Sequence, residues 1–358
     1  MNPDPLHVRG VRLPDATGVE LWVRDGLITY EPVPDATTVG SGWILPGLVD
    51  MHCHAGLAAD GAVGPELTER QVVADRDAGA LLLRDCGSPA DTRWIDERVD
   101  LPRIIRAGRH IARPKRYQRD VAVEVEPVEL AAEVRTQAAR GDGWVKLVGD
   151  WIDRDVGDLT PLWPADALAA AVAAAREVGA RVTTHVFGRD GLAAALAAGF
   201  DCIEHGTGLD DELIALMARR GTALVPTLLN VEENFPGIAA GGEAKFPAYA
   251  DHMRRLASGA GARIAAAHEA GVPIFVGTDA GGALAHGRIC HEIDALIRAG
   301  LPAEYVIGGA SWRARDYLGR PGLDEGDPAD FLVVAEDPRR HPETLADPRI
   351  VLRGRVCR

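Results

Sequence analysis

Ile44-Leu45-Pro46-Gly47-Leu48-Val49-Asp50-Met51-His52-Cys53-His54 carries an apolar run directly into two histidines one residue apart. Read as a strand over 44–51, the run sends alternate side chains to opposite faces, so His52 and His54 leave its end in one direction and Cys53 points away. Two neutral imidazoles held that way can grip a metal ion, although two solvated histidines in a loop would give the same letters. Their partners elsewhere in the chain decide between these readings.

From Ile44 onward, short β-branched or aliphatic runs alternate with longer Ala-, Leu-, Arg- and Glu-rich segments of helical period. Eight strand candidates follow: 44–51, 80–84, 103–107, 144–148, 181–185, 202–205, 223–226 and 274–277. Helices such as 164–178 and 191–198 lie between them, the second ended by Gly199. Strands alternating with helices form a parallel sheet, and eight such units close into an α/β, TIM-like (β/α)8 barrel. The flanks read differently. Leu21–Ile28 looks like a hairpin turning at Asp25-Gly26, and the runs 330–334 and 350–356 have the same strand-like character. Neither end alone can bury a core, so residues 1–43 and 324–358 are expected to combine into a small β-sandwich domain beside a barrel of residues 44–323.

Size and composition agree with this plan. A barrel of roughly 250 residues with an appended piece uses up a chain of this length. Hydrophobic residues make up 47% and charged ones 26%, the profile of a globular protein. A formal charge of −14 argues against a phosphate-backbone partner, so no nucleic acid is expected. The longest uncharged stretch, 36–49, contains Pro46 and falls short of the roughly 20 apolar residues of a membrane helix. No basic-then-apolar leader opens the sequence, and five widely spaced cysteines without a Cys-x-x-Cys pair suit reduced thiols. Cytoplasmic residence, no membrane partner and a small-molecule substrate are the expectations, with homo-oligomer formation left open.

On the barrel framework the candidate ligands all fall at strand ends or within strands. His52 and His54 close the first, Lys146 sits in the fourth, His185 ends the fifth, His205 ends the sixth and Asp279 follows the eighth. Barrel enzymes carry their chemistry at the C-terminal mouth of the strands, so these six groups converge on one volume. Lys146 is one of only three lysines among 39 Lys and Arg residues, and it lies inside the apolar run Trp144-Val145-Lys146-Leu147-Val148. A salt bridge to a buried carboxylate would account for it, but Arg would serve there at least as well. A buried amine can instead lose its proton and act as a nucleophile, and its reaction with carbon dioxide leaves a carbamate, a carboxylate on a long arm.

The motifs Leu45–His54, Val145-Lys146, Thr184-His185, Ile203-Glu204-His205-Gly206 and Gly277-Thr278-Asp279-Ala280 resemble those of the amidohydrolase superfamily. The run 203–206, followed by 211–217 and Val225-Pro226-Thr227, is similar to its imidazolonepropionase-like branch, which includes Xaa-Pro and other metal-dependent dipeptidases. The resemblance implies two divalent metal ions, zinc foremost. His52, His54 and Asp279 would hold one, His185 and His205 the other, and carbamylated Lys146 would bridge them. It further implies hydrolysis of an amide, in a dipeptide or an N-acyl amino acid, by a metal-bridging hydroxide, with Asp279 moving the proton. A lactone or cyclic amide is the alternative substrate. A non-catalytic binding or assembly subunit is the alternative of another class, and it predicts missing ligands, whereas none is missing.

Related deaminases carry a proton-shuttling Glu three residues after the fifth-strand histidine, where this chain has Gly188, which favours hydrolysis over deamination. No Gly-x-Ser-x-Gly elbow or phosphate loop is present. The stretch Arg109–Arg119 is the most basic in the chain and lies where a barrel-mouth loop belongs. It reads either as a solvated loop or as a holder of a substrate carboxylate through Arg113, Lys115, Arg116 or Tyr117. His286 and His110 are candidates to line the pocket, and Glu204 to support the ligands from behind.

Overall fold

The computed structural model describes residues 3–358. Seven of the eight expected barrel strands form as regular strands: β1 (Leu48–Cys53), β2 (Ala80–Asp85), β3 (Arg103–Arg106), β4 (Trp144–Val148), β5 (Arg181–Val186), β6 (Cys202–His205) and β7 (Ala223–Val225). β1, β2 and β3 pair in parallel, as do β4 through β7. Two joints close the ring. Between β3 and β4, Asp142 N donates to Arg106 O and Ile111 pairs with Leu147. Between β7 and β1 runs the segment expected as the eighth strand, 274–277, which does not form a regular ladder. Ile274 bridges to Leu224, and Met51 N donates to Val276 O at 2.9 Å. The ladder is interrupted because the carbonyls of Gly309 and Ala310 take the N–H groups of Val276 and Val49.

The opening run also divides differently from its reading as one strand. Ile44–Pro46 ends the strand Thr37–Pro46 of a separate sheet, and β1 begins at Leu48. Gly47 makes the joint: its N donates to Asp330 O, and a Cβ there would stand 2.5 Å from Leu81. The terminal segments combine into one seven-stranded sheet in the order Arg355–Val356, Arg349–Leu352, Phe331–Val334, Thr37–Pro46, Leu6–Arg12, Thr17–Arg24, Leu27–Thr29. Strand alternation divides its side chains between two cores. Ile44, Phe331, Val333 and Val351 join Leu6, Val8, Leu21 and Val23 in the sheet's own core, while Leu45, Leu332, Val334, Ile350 and Leu352 pack into the barrel's. The hairpin at Asp25-Gly26 forms with φ 55° and 81°, the left-handed pair that a two-residue hairpin turn requires.

Inside the barrel, Val49, Met51, Leu82, Ile105, Trp144, Cys202, Val225 and Phe275 fill a floor. Helix Ala165–Glu177 and helix Arg189–Ala198, ended by Gly199 at φ 90°, pack outside. Cys53, Cys86 and Cys202 are buried free thiols whose pKa burial raises, so they are poor nucleophiles. Among the described residues no helix is long and apolar enough to cross a membrane.

Candidate metal centre

Three local departures from regular backbone aim the ligands. In β1, Asp50 pairs with Leu83 and Cys53 with Asp85, so three residue steps match two and a bulge falls at Met51–His52. The bulge lets Met51 face the floor while His52 and His54 still turn into the mouth. His205 has φ 69° and Asp279 φ 59°, a conformation L-residues adopt at a cost and one that clusters at functional sites. By strand alternation Glu204 and His205 would point to opposite faces. The left-handed turn at His205 lets both serve the interior.

The ligand atoms converge. His52 Nε2, His54 Nε2 and Asp279 Oδ1 lie 3.0–3.2 Å from one another, and His205 Nε2 lies 2.9 Å from His185 Nδ1. His52, His205 and Asp279 alone offer three atoms able to hold one ion. Burial lowers the pKa of His54, His185 and His205, the last to about 3, so these rings are neutral, as metal ligands must be. Burial opposes ionisation of Asp279, but His52 outweighs it and keeps the carboxyl well below its usual range. The donor chemistry fits a cation. His54 Nδ1 must donate to the Gly87 carbonyl at 2.7 Å, which leaves a lone pair on Nε2 facing the Asp279 carboxylate at 3.0 Å. Two acceptors that close repel each other unless a positive charge lies between them.

Lys146 stands in the same chamber, 1% exposed, and among the described residues no carboxylate lies within ion-pair distance of it. The salt-bridge alternative therefore fails. The neighbouring carboxylate, Glu204, is engaged elsewhere: its Oε2 lies 2.8 Å from His52 Nδ1, and its Oε1 accepts from Arg84 Nη2 at 2.6 Å and from the Thr183 hydroxyl. Arg84 is fully buried, donates through Nε to Met51 O and lies over the Trp144 ring. Burial opposes the charged form of Glu204, but Arg84 and His52 hold its carboxyl well below the usual range. Sequence reasoning passed over Arg84, although it repeats the signal given by Lys146, a charge inside the apolar run Leu81-Leu82-Leu83-Arg84.

A cavity of about 490 Å³ opens above the ligands, within the size range of small-molecule sites. His110 lines it with both ring nitrogens buried and unpartnered, and burial depresses its pKa well below normal. Apolar and aromatic walls come from Leu57, Tyr117, Trp151, Phe187, Ile238 and Tyr249. Part of this wall is a cap that the eight-unit reading did not contain, made of the hairpin Asp150–Asp153/Asp158–Pro161 and the helices Leu228–Gly242 and Pro247–Ala257. From the first of these helices Asn230 reaches down and donates to Asp279 Oδ2 at 2.7 Å.

Of the expected substrate-binding residues, Tyr117 alone lines this chamber. Arg116 is instead consumed by the cap hairpin, donating to Asp153 Oδ2 and to the carbonyls of Trp151 and Thr160. Arg113 pairs with Glu126 at the surface, and Lys115 lies outside the chamber. His286 lies behind the site, its Nδ1 2.7 Å from Asp75 Oδ2, and does not reach the cavity.

A parallel barrel with a terminal β-domain and a His/Asp centre at the strand ends defines a metal-dependent hydrolase architecture. Residues 43–356 match the model of the amidohydrolase family, and the chain belongs to that family. An uncharacterized protein of Mycobacterium tuberculosis is 58% identical over 354 residues, spanning 98% of this chain and 95% of its own. The ochratoxinase of Aspergillus niger is 29% identical over 243 residues, 64% of this chain and 48% of that one. A crystal structure of a Xaa-Pro dipeptidase with bound methionine superposes with a TM-score of 0.80 at 23% identity over 99% of both chains. The structure of Aspergillus niger ochratoxinase gives 0.79 at 18% identity, over 99% of this chain and 96% of that one.

Proposed function

We propose that this protein is a binuclear metal-dependent hydrolase of amide bonds, with zinc as the first metal to test and N-acyl amino acids and dipeptides as the first substrates. The observation that carries the reading is the approach of two acceptors, His54 Nε2 and Asp279 Oδ1, at 3.0 Å in a buried chamber, because such a pair needs a cation. Relatives named as a Xaa-Pro dipeptidase and an ochratoxinase support amide chemistry on this architecture. His52, His54 and Asp279 would hold one ion, and His185 and His205 a second, with Lys146 as its carbamate between them. Bound divalent ions would supply Lewis-acid activation of water and of the scissile carbonyl.

The chain's own groups account for the remaining roles. Asp279, half-buried at the cavity floor, takes the proton of the attacking water and returns it to the leaving nitrogen. Asn230 holds the other oxygen of that carboxylate, so the acceptor keeps one orientation. His110 is neutral, and its unpartnered ring presents a donor to the carbonyl oxygen as charge builds there. The aromatic walls exclude water from the acyl side.

Metal analysis of the purified chain, followed by a screen of N-acyl amino acids and dipeptides with zinc and bicarbonate supplied, tests the proposal. About two transition-metal equivalents and release of an amine are expected. Less than one equivalent with no turnover would overturn it.

A further inference from the structure

Tyr117, Gln118 and Trp151 line the metal chamber and also a second, outer cavity of about 920 Å³, so these three side chains form the wall between the two spaces. Their electrostatics differ. Among the described residues, no lysine or arginine other than Lys146 lines the inner chamber. The outer wall carries Arg109, Lys115, Arg119 and Arg154 against Asp120 and Glu124. Lys115, Arg119 and Arg154 are exposed, and among the described residues none has a carboxylate within ion-pair distance. The Arg109 guanidinium bonds to the main-chain carbonyls of Asp120, Val121 and Ala122 and to no acid. The nearby Arg113 and Arg116 are both paired with acids. In a chain of charge −14, four cations left without acidic partners beside the metal chamber call for an anion.

We propose that this outer cavity is an anion subsite. On the amide-hydrolase reading above, on which this rests, it selects bifunctional substrates. Their neutral apolar or aromatic acyl group occupies the inner chamber, and their carboxylate lies several bonds from the scissile amide, beyond Tyr117 and Trp151. A distal carboxylate, additional to any next to the amide, reaches past the inner walls of Tyr117 and Trp151. In the outer cavity it stays partly hydrated and meets three unpaired cations.

The test uses binding without turnover. A chain-length series of ω-benzoylalkanoates, ketones with no amide to cleave, is compared by calorimetry with the matching ω-benzoylalkanols on the metal-loaded protein. The longer carboxylates are expected to bind about five- to tenfold tighter than the matching alcohols, as several exposed charge pairs acting together allow. The preference should fall towards unity in about 0.5 M salt and in the Lys115→Gln/Arg119→Gln/Arg154→Gln variant, whose changes are confined to exposed side chains. Equal affinities in the unmodified protein, no binding of either series, or a preference that survives the triple substitution would overturn the subsite. A protein that shows the preference yet cleaves no benzamide would sink the hydrolase reading and leave the subsite standing. An active amidase indifferent to the carboxylate would do the reverse.

Discussion

Glu204 Oε2 lies 2.8 Å from His52 Nδ1, and its other oxygen accepts from Arg84 Nη2 at 2.6 Å, so a fully buried arginine steadies the carboxylate behind a candidate ligand. With Nδ1 turned to Glu204, His52 presents Nε2 to the site. Such outer partners fix the tautomer and ring orientation of a ligating histidine. Glu204→Gln should therefore weaken metal binding by about 10- to 100-fold while the fold survives. Metal-buffer titration of the apoprotein measures it directly, and unchanged affinity would remove Glu204 from the site. Glu204→Leu should also unfold more easily, because it strands the Arg84 charge in the interior, a loss of roughly 3–5 kcal/mol.

Asn230 donates to Asp279 Oδ2 at 2.7 Å from a helix of the cap, and Asn234, one turn further along that helix, in turn donates to Asn230 Oδ1. If the carboxylate moves the proton, its orientation matters more to turnover than to substrate binding. Asn230→Ala is expected to lower kcat by about 10- to 100-fold with KM and bound metal little changed. A change confined to KM would mean that Asn230 contacts substrate rather than orienting Asp279.

Glu292 is buried and accepts the N–H groups of Leu228 and Leu229, the start of the helix that carries Asn230. Burial raises its pKa to about 8 despite those two bonds. An acid whose folded pKa lies above its unfolded value contributes stability that is fully present below the unfolded pKa, near 4.5, and is lost as pH rises through 8. The melting temperature should accordingly fall between pH 5 and 8, and the slope should be shallower in Glu292→Gln by a few degrees over that window. Equal slopes in the two proteins would show that Glu292 does not titrate there.

The sequence and the structure agree where local pattern alone decides. Trp144–Val148 and Cys202–His205 occur at the expected residues because each is a short apolar run bounded by turn residues. The convergence of the candidate ligands was legible for the same reason: strand ends in a parallel barrel share one mouth. What escaped depends on tertiary context. No periodicity announces the bulge at Met51–His52 or the left-handed turns at His205 and Asp279, which are imposed by neighbouring strands. The cap hid because Asp150–Pro161 and Leu228–Ala257 occupy loop positions of the eight-unit pattern. Arg116 misled because a cation in a mouth loop reads the same whether it meets substrate or the carbonyls of Trp151 and Thr160.

Lys146 offers the sharpest test of the two-metal reading. Buried, with no acid in ion-pair reach among the described residues, it has no structural use that an arginine or methionine would not serve. If its amine is consumed as a carbamate, recovery of activity by the apoprotein on adding zinc should depend on carbon dioxide. Reconstitution in degassed buffer should be slow and incomplete, and bicarbonate should accelerate it in proportion to its concentration. Lys146→Met should retain the fold and lose activity by about three orders of magnitude or more, since both ions would lose a shared anionic ligand. Its residual zinc uptake should no longer respond to bicarbonate. Equal reconstitution with and without bicarbonate would leave Lys146 as a plain amine beside the metals and end the bridged-pair mechanism.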